Sequence, residues 1–295
     1  MRVIEPRHLD KVKKARKRRP KIRTVNLIIV GAVAAAGAYL VFAQDVIIKQ
    51  APDGSGQQSG QANSDDAVTD FSKPSVLKTF TATQFKELYS SYAYPNTQQL
   101  TEPPSITGDE AADKRIRDIA EKRGYKLSAV PVANIVKLNE PGLSENDLIQ
   151  PNALIAWQEL KKAAKKAGIP LQMTSAYRSI ELQRTLFMRE MDNEGVYTES
   201  VALGFDDDGV TRVLKRVAIP GYSRHHTGYT IDLACDGIGL DSFLTTSCYA
   251  WLSDNNYENA KKYGWVPSYP SGVSLQGPEP EPWEYIWVGK DILFE

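Results

Sequence analysis

The sequence predicts an α+β domain, a small and mostly antiparallel sheet with flanking helices, preceded by a single N-terminal transmembrane helix. Three observations predict it. Residues 154–167 carry apolar side chains at roughly the 3.6-residue period of an amphipathic helix. Short runs such as 169–174 and 283–288 are too brief for helices and read as strands, so helices and strands are mixed along one stretch of chain. Residues 25–42 form an uncharged run of 18 residues with only Asn26 strongly polar, about the minimum length that crosses a bilayer core as a helix.

The elements follow in order. Within residues 1–23, eleven Lys and Arg face only Glu5 and Asp10, a formal charge of +9. Because the whole chain balances at 36 basic and 36 acidic residues, the remainder carries −9. A basic flank ahead of an apolar span places the tail in the cytoplasm and everything after it outside, a single-pass arrangement in the cell membrane with the C-terminal domain extracytoplasmic. The alternative is a secreted protein cut near Ala43, with Val41 and Ala43 at the small-residue positions before the cut. Nucleic acid is not needed to explain the basic run, since topology accounts for it. Residues 24–43 are therefore the membrane segment. Residues 44–75, rich in Gly, Ser, Gln, Asn and Asp, are a flexible linker that cannot bury enough apolar surface to offset its ordering entropy.

Residues 76–144 read as a helical N-terminal elaboration. Thr81 and Thr83 offer hydroxyl caps to a helix bearing Phe85, Leu88 and Tyr89, and Pro103-Pro104 separates it from a second helix at 109–123 with Ile116, Ile119 and Ala120 on one face. The main domain, 145–295, opens with the helix at 154–167, whose apolar set is Leu154, Ile155, Trp157, Leu160, Ala163, Ala164 and Ala167. Gly168 caps it, a strand at 169–174 follows, and Ser179 starts the next helix. Residues 225–232 read as a turn entering a strand, with Gly228 permitting close backbone approach, and 283–288 as the final strand.

Candidate functional residues emerge by counting. The chain has three histidines, and His8 lies in the basic tail, so a metal site in the main domain can draw only on His225 and His226. A three-histidine site is excluded. Catalytic zinc takes three protein ligands and keeps a position for water; His225, Asp232 and a carboxylate from Glu281 or Glu284 could fill that set. Asp232 precedes Leu233-Ala234 in an apolar strand, where a carboxylate without a partner is costly. Cys235 and Cys248 fall in the exported half, where an oxidising exterior allows them to pair; the alternative is two unpaired, partly buried thiols. No phosphate-binding loop, GxSxG elbow or nucleic-acid signature is present.

The segment Ser223-Arg224-His225-His226-Thr227-Gly228-Tyr229-Thr230-Ile231-Asp232 resembles the S-x-H-x-x-G-x-x-x-D signature of the zinc D-alanyl-D-alanine carboxypeptidases of the bacterial cell wall, the vancomycin-resistance D,D-carboxypeptidases and related L,D-carboxypeptidases. Ser175-Ala176-Tyr177-Arg178-Ser179 with Gln183, Tyr263-Gly264-Trp265 with Tyr269-Pro270, and Glu281-Pro282-Trp283 extend the resemblance over roughly residues 145–290. It implies a metallopeptidase core acting on peptidoglycan stem peptides. It implies His225 and Asp232 as metal ligands, Glu281 as general base, Arg178 at the oxyanion, and Arg178, Gln183 and Ser223 in substrate binding. His226 matches no ligand and reads as a loop or substrate-facing residue.

One position departs from the pattern. The family's last motif ends in a histidine that is the third zinc ligand, and here Glu284 stands in its place. Either Glu284 ligates the ion, or the site no longer holds one. A His/Asp/Glu set bears two negative charges, which makes zinc a weaker Lewis acid and tolerates harder divalent ions such as manganese. The chain thus reads as a membrane-anchored metallocarboxypeptidase removing a terminal D-alanine, with the D,D or L,D bond left open. The alternatives are a peptidoglycan-binding module on the same scaffold without metal, and a cell-wall endopeptidase.

Overall fold

The computed structural model describes residues 76–133, 135–143 and 147–295. The basic tail, the predicted membrane helix and the linker lie outside the described residues, among which no helix is long and apolar enough to cross a membrane.

Helix α1 (Ala82–Ser91) begins at a full capping box, Thr81 accepting from the Gln84 amide while Gln84 reaches back to Thr81. A short strand β1 (Thr97–Gln99) pairs antiparallel with β2 (Ala129–Pro131) around α2 (Glu110–Lys122), which Asp109 caps through the Ala112 amide. Strands β3 (Val136–Lys137) and β4 (Leu148–Ile149) form a second two-stranded ladder. Residues 76–143 therefore contain short strands as well as helices.

Helix α3 (Pro151–Lys166) starts three residues before its apolar period does, because Pro151 suits the first helical position. Its buried face is Ala153, Ala156, Trp157, Leu160 and Ala164; Ile155 is out of phase with that set and is 59% exposed. Strand β5 (Leu171–Ser175) begins only after Pro170, which has no amide to donate. Helices α4 (Ile180–Glu194), α5 (Thr198–Ala202) and α6 (Asp207–Leu214) follow, then a single 3-10 turn (Arg224–Thr227) ended by Gly228 at φ 74°. Strand β6 (Thr230–Cys235) is buried throughout. Helix α7 (Ser247–Lys261) is broken at 254–257, and there the Asn256 side chain bonds both the amide and the carbonyl of Phe80. Strands β7 (Trp265–Tyr269) and β8 (Glu281–Trp287) complete the chain's sheet.

The main sheet has the order β5-β6-β8-β7, antiparallel at every junction. Two apolar clusters result. One lies on the sheet with α3 and α7, centred on Trp157, Tyr229, Trp265 and Tyr285; the other joins α2, α4 and α6 around Ile116, Phe187, Met191 and Val213. The functional cleft opens where residues packed on the two clusters face each other. Cys235 and Cys248 form a disulfide with Cα atoms 5.7 Å apart, joining the end of β6 to the start of α7.

Candidate functional site

The inner strands β6 and β8 bring the site together. Asp232 and Glu284 are direct cross-strand partners, and the 3-10 turn before β6 swings His225 over both. The His225 Nε2 lies 3.4 Å from Asp232 Oδ1 and 3.3 Å from Glu284 Oε2, and one ligand atom from each of the three residues lies within 4.8 Å of the others. All three residues are buried.

His225 Nδ1 donates to the Ala176 carbonyl at 2.6 Å, since a carbonyl can only accept. That bond leaves Nε2 facing two carboxylates. His225 Nε2 and Asp232 Oδ1, 3.4 Å apart, are buried without a well-formed hydrogen bond, and Glu284 approaches the same nitrogen through Oε2. A divalent cation is the partner this donor set fits, with the imidazole oriented by its other nitrogen as metal-ligating histidines are.

The same crowding sets the site's electrostatics. Burial pushes the His225 imidazolium down, but Asp232 and Glu284 outweigh it and carry its pKa up to about 9. Burial, then the Glu284 and Asp232 charges, push the Glu281 carboxyl well above the usual carboxylate range. Glu284 moves the other way, to about 2: burial opposes ionisation, but His225, Glu281 and the Ser268 hydroxyl overcome it. Glu281 is thus the carboxyl of the pair that takes up and holds a proton.

Arg178 stands on the loop after β5, its Nη2 3.5 Å from Asp232 Oδ2, and the Arg178 amide donates to the His225 carbonyl. Gln183 was expected to contact substrate. Instead it is fully buried behind the wall, accepting from Arg178 Nη1 at 2.9 Å and donating to the Ala218 carbonyl at 2.6 Å, so it aims the guanidinium. Ser223, Arg178, His225, Asp232, Glu281 and Glu284 all line one cleft of about 240 Å³, together with Trp283 and Tyr269.

His226 faces neither solvent nor substrate. Its Nε2 accepts from the Gly221 amide at 3.0 Å, so Nδ1 carries the proton and donates to the Arg178 carbonyl at 2.7 Å. Burial lowers its pKa to about 4, and it clamps the two loops that carry Arg178 and Ser223 as a neutral ring. Two adjacent histidines thus differ wholly in role. Sequence reasoning also passed over the far part of the cleft, where Arg189, Glu190 and Arg216 line the wall from α4 and the segment after α6. Only the apolar spacing of α4 could have marked that face.

Comparison with known proteins agrees with the motifs. Residues 146–290 match the family model described as VanY: D-alanyl-D-alanine carboxypeptidase. A D-alanyl-D-alanine carboxypeptidase of Enterococcus faecalis (strain ATCC 700802 / V583) is 29% identical over 166 residues, 56% of this chain and 56% of the relative. YodJ of Bacillus subtilis (strain 168), provisionally named a carboxypeptidase, is 34% identical over 146 residues, 48% of this chain and 47% of the relative. The chain spans about half the length of these curated relatives. Among solved structures, the LdcB LD-carboxypeptidase is 28% identical with a TM-score of 0.42, over 55% of this chain and 69% of that one. A vancomycin-resistance D,D-pentapeptidase solved with Zn(II) is 24% identical with a TM-score of 0.40, over 55% and 84%. Residues 146–290 resemble the VanY-type zinc carboxypeptidases.

Proposed function

We propose that this domain is a metal-dependent carboxypeptidase that removes the terminal D-alanine from peptidoglycan stem peptides, held outside the cytoplasmic membrane by the N-terminal helix. The observation that carries the reading is the convergence of one ligand atom from each of the buried residues His225, Asp232 and Glu284 in a cleft that also holds Glu281 and Arg178. A zinc or other divalent ion held by His225, Asp232 and Glu284 supplies Lewis acidity and a more acidic water when bound.

The chain's own residues do the rest. Glu281 acts from its carboxylate form, made more basic by its surroundings: it accepts the proton of the attacking water and returns it to the leaving amine. Arg178 offers a fixed guanidinium to the oxyanion that develops on the scissile carbonyl, and Gln183 keeps it in place. Ser223 is buried and lines the cleft, and on this reading its hydroxyl holds the peptide's terminal carboxylate. Tyr269 and Trp283 form aromatic parts of the cleft lining. The disulfide supports an extracytoplasmic site, where such bonds persist.

The test is to incubate the full chain, supplied with zinc, with tetrapeptide and pentapeptide muropeptides and to read product masses with and without chelator. Loss of one alanine that chelator prevents is the expected result, and the parent that loses it identifies the D,D or L,D bond. Unaltered masses with tight peptide retention point to a binding module and overturn the reading; internal cleavage identifies an endopeptidase.

A further inference from the structure

Arg224 sits between Ser223 and His225, yet the chemistry above makes no use of it. It is 6% exposed, and among the described residues no carboxylate pairs with it. A buried cation without a counter-charge is costly. Neighbours offset part of that cost: the guanidinium lies between the rings of Tyr89, 4.2 Å away, and Tyr269, 4.0 Å away, and its Nη1 donates to the carbonyl of Ser268 and, at 3.0 Å, to its hydroxyl. Of the five N–H donors a guanidinium carries, those on Nε and Nη2 bond to nothing among the described residues.

A cavity of about 50 Å³ lies against this arginine, lined also by Lys86, Tyr89, Tyr125, Lys126 and Tyr269, and no Asp or Glu lines it. Lys86 Nζ donates only to the Ser274 carbonyl, at 3.4 Å, and neither lysine forms an ion pair among the described residues. Residues 24–295 carry a net −9, so three cations around one acid-free cavity reverse the sign of their surroundings. Lys86 and Tyr89 come from α1, and Tyr125 and Lys126 from the segment after α2; all four lie outside residues 146–290. The N-terminal elaboration therefore builds half of this cavity. Tyr269 is the partition, lining both it and the cleft that holds His225.

We infer that this cavity is a second binding site, for a compact oxyanion: a phosphate or carboxylate group held by the free edge of Arg224, with Lys86 and Lys126 adding charge. A guanidinium fork matches either group through paired N–H donors, and stacking between two rings fixes the fork before the ligand arrives. The volume admits one such group and not a peptide. The same chemistry serves a free ion and a group carried on a larger molecule, and the probes below separate the two. The site stands apart from the hydrolytic reading, because none of the residues that hold the anion is a proposed metal ligand.

The experiment is a calorimetric titration of the full chain with inorganic phosphate, acetate and phenyl phosphate at fixed ionic strength. Chelator is present throughout, so that no anion reports on a metal ion in the cleft. Saturable one-to-one binding is expected. Lys86→Gln combined with Lys126→Gln should weaken it about 2- to 30-fold, the range for two exposed charge contacts, and Arg224→Gln should abolish it. The lysine pair decides the matter if Arg224→Gln fails to fold. Phenyl phosphate bound at least as tightly as phosphate identifies a group carried on a larger molecule; its exclusion identifies a free ion. No saturable binding of any of the three anions, or binding that either folded variant leaves unchanged, overturns the inference. Neither result bears on the carboxypeptidase reading, which the muropeptide masses decide.

Discussion

Breaking the Cys235–Cys248 bond tests how far the domain depends on its covalent link. The bond joins residues 13 apart in sequence, and its ends are buried. Chain-entropy accounting for a closed loop of that size assigns about 3 kcal/mol of stability to the restriction it places on the unfolded chain. For a domain of roughly 200 residues, each kcal/mol moves the melting midpoint by about 2–4 °C, so the expected loss is about 6–12 °C. The assay is a pair of calorimetric scans of the full chain, oxidised and thiol-reduced, repeated on Cys235→Ala with Cys248→Ala. Reduction isolates the entropic effect, because it leaves both sulfurs in place. Midpoints within 2 °C of each other refute the reasoning and mean that this segment is already ordered in the unfolded chain.

Three further outcomes are expected. Glu281→Gln keeps zinc bound but lowers turnover by about 100- to 10,000-fold, the range for a lost general base, as read from kcat beside metal content. Glu284→His, which replaces a hard carboxylate by a borderline imidazole, raises zinc affinity in chelator competition; unchanged affinity means that Glu284 does not reach the ion. Asp113 accepts from the Ser105 hydroxyl, the Ile106 amide, and the Thr107 amide and hydroxyl at 2.6–2.9 Å, so Asp113→Ala strands the buried Ile106 amide and frees its part-buried neighbours, at a cost of about 1–3 kcal/mol in urea unfolding. Burial alone would raise this carboxyl, but those bonds hold it below its ordinary value of 3.8. Its contribution is therefore complete above pH 3.8 and drains away as pH falls through the lower folded value, and Asp113→Asn should remove that part of the acid limb.

The legible parts of the fold were those with local causes. Thr81 announced α1 because its side chain satisfies an amide three residues on, Ile116, Ile119 and Ala120 marked α2 by their spacing, and the chain between His225 and Asp232 showed its turn through Gly228. Strand β7 gave no comparable signal: all five residues are buried, so no alternation marks it, and Pro267 argues against a strand. The break in α7 depends on Asn256 capturing Phe80 from far away in the chain. At the site, the resemblance grouped His225, Asp232, Glu281 and Glu284, and all four line one cleft. It could not show that Gln183 serves Arg178, that His226 is a neutral clamp, or that Arg224 lies between two tyrosines. Those roles are set by which backbone carbonyl or ring lies opposite, and such neighbours come from distant segments.

The direct facing of Asp232 and Glu284 across β6 and β8 has a consequence for how the protein can evolve. Like charges opposite each other weaken a ladder, and two β-branched residues at the centre of this sheet would hold it better. Folding and chemistry therefore ask for contrary residues at the same pair of positions. On the proposed reading, an ion that binds only the folded chain would reconcile them, adding about 2.7 kcal/mol at a hundredfold excess over its Kd. Without such an ion, exchanging the pair for apolar residues would make the sheet sturdier and remove the site in the same step.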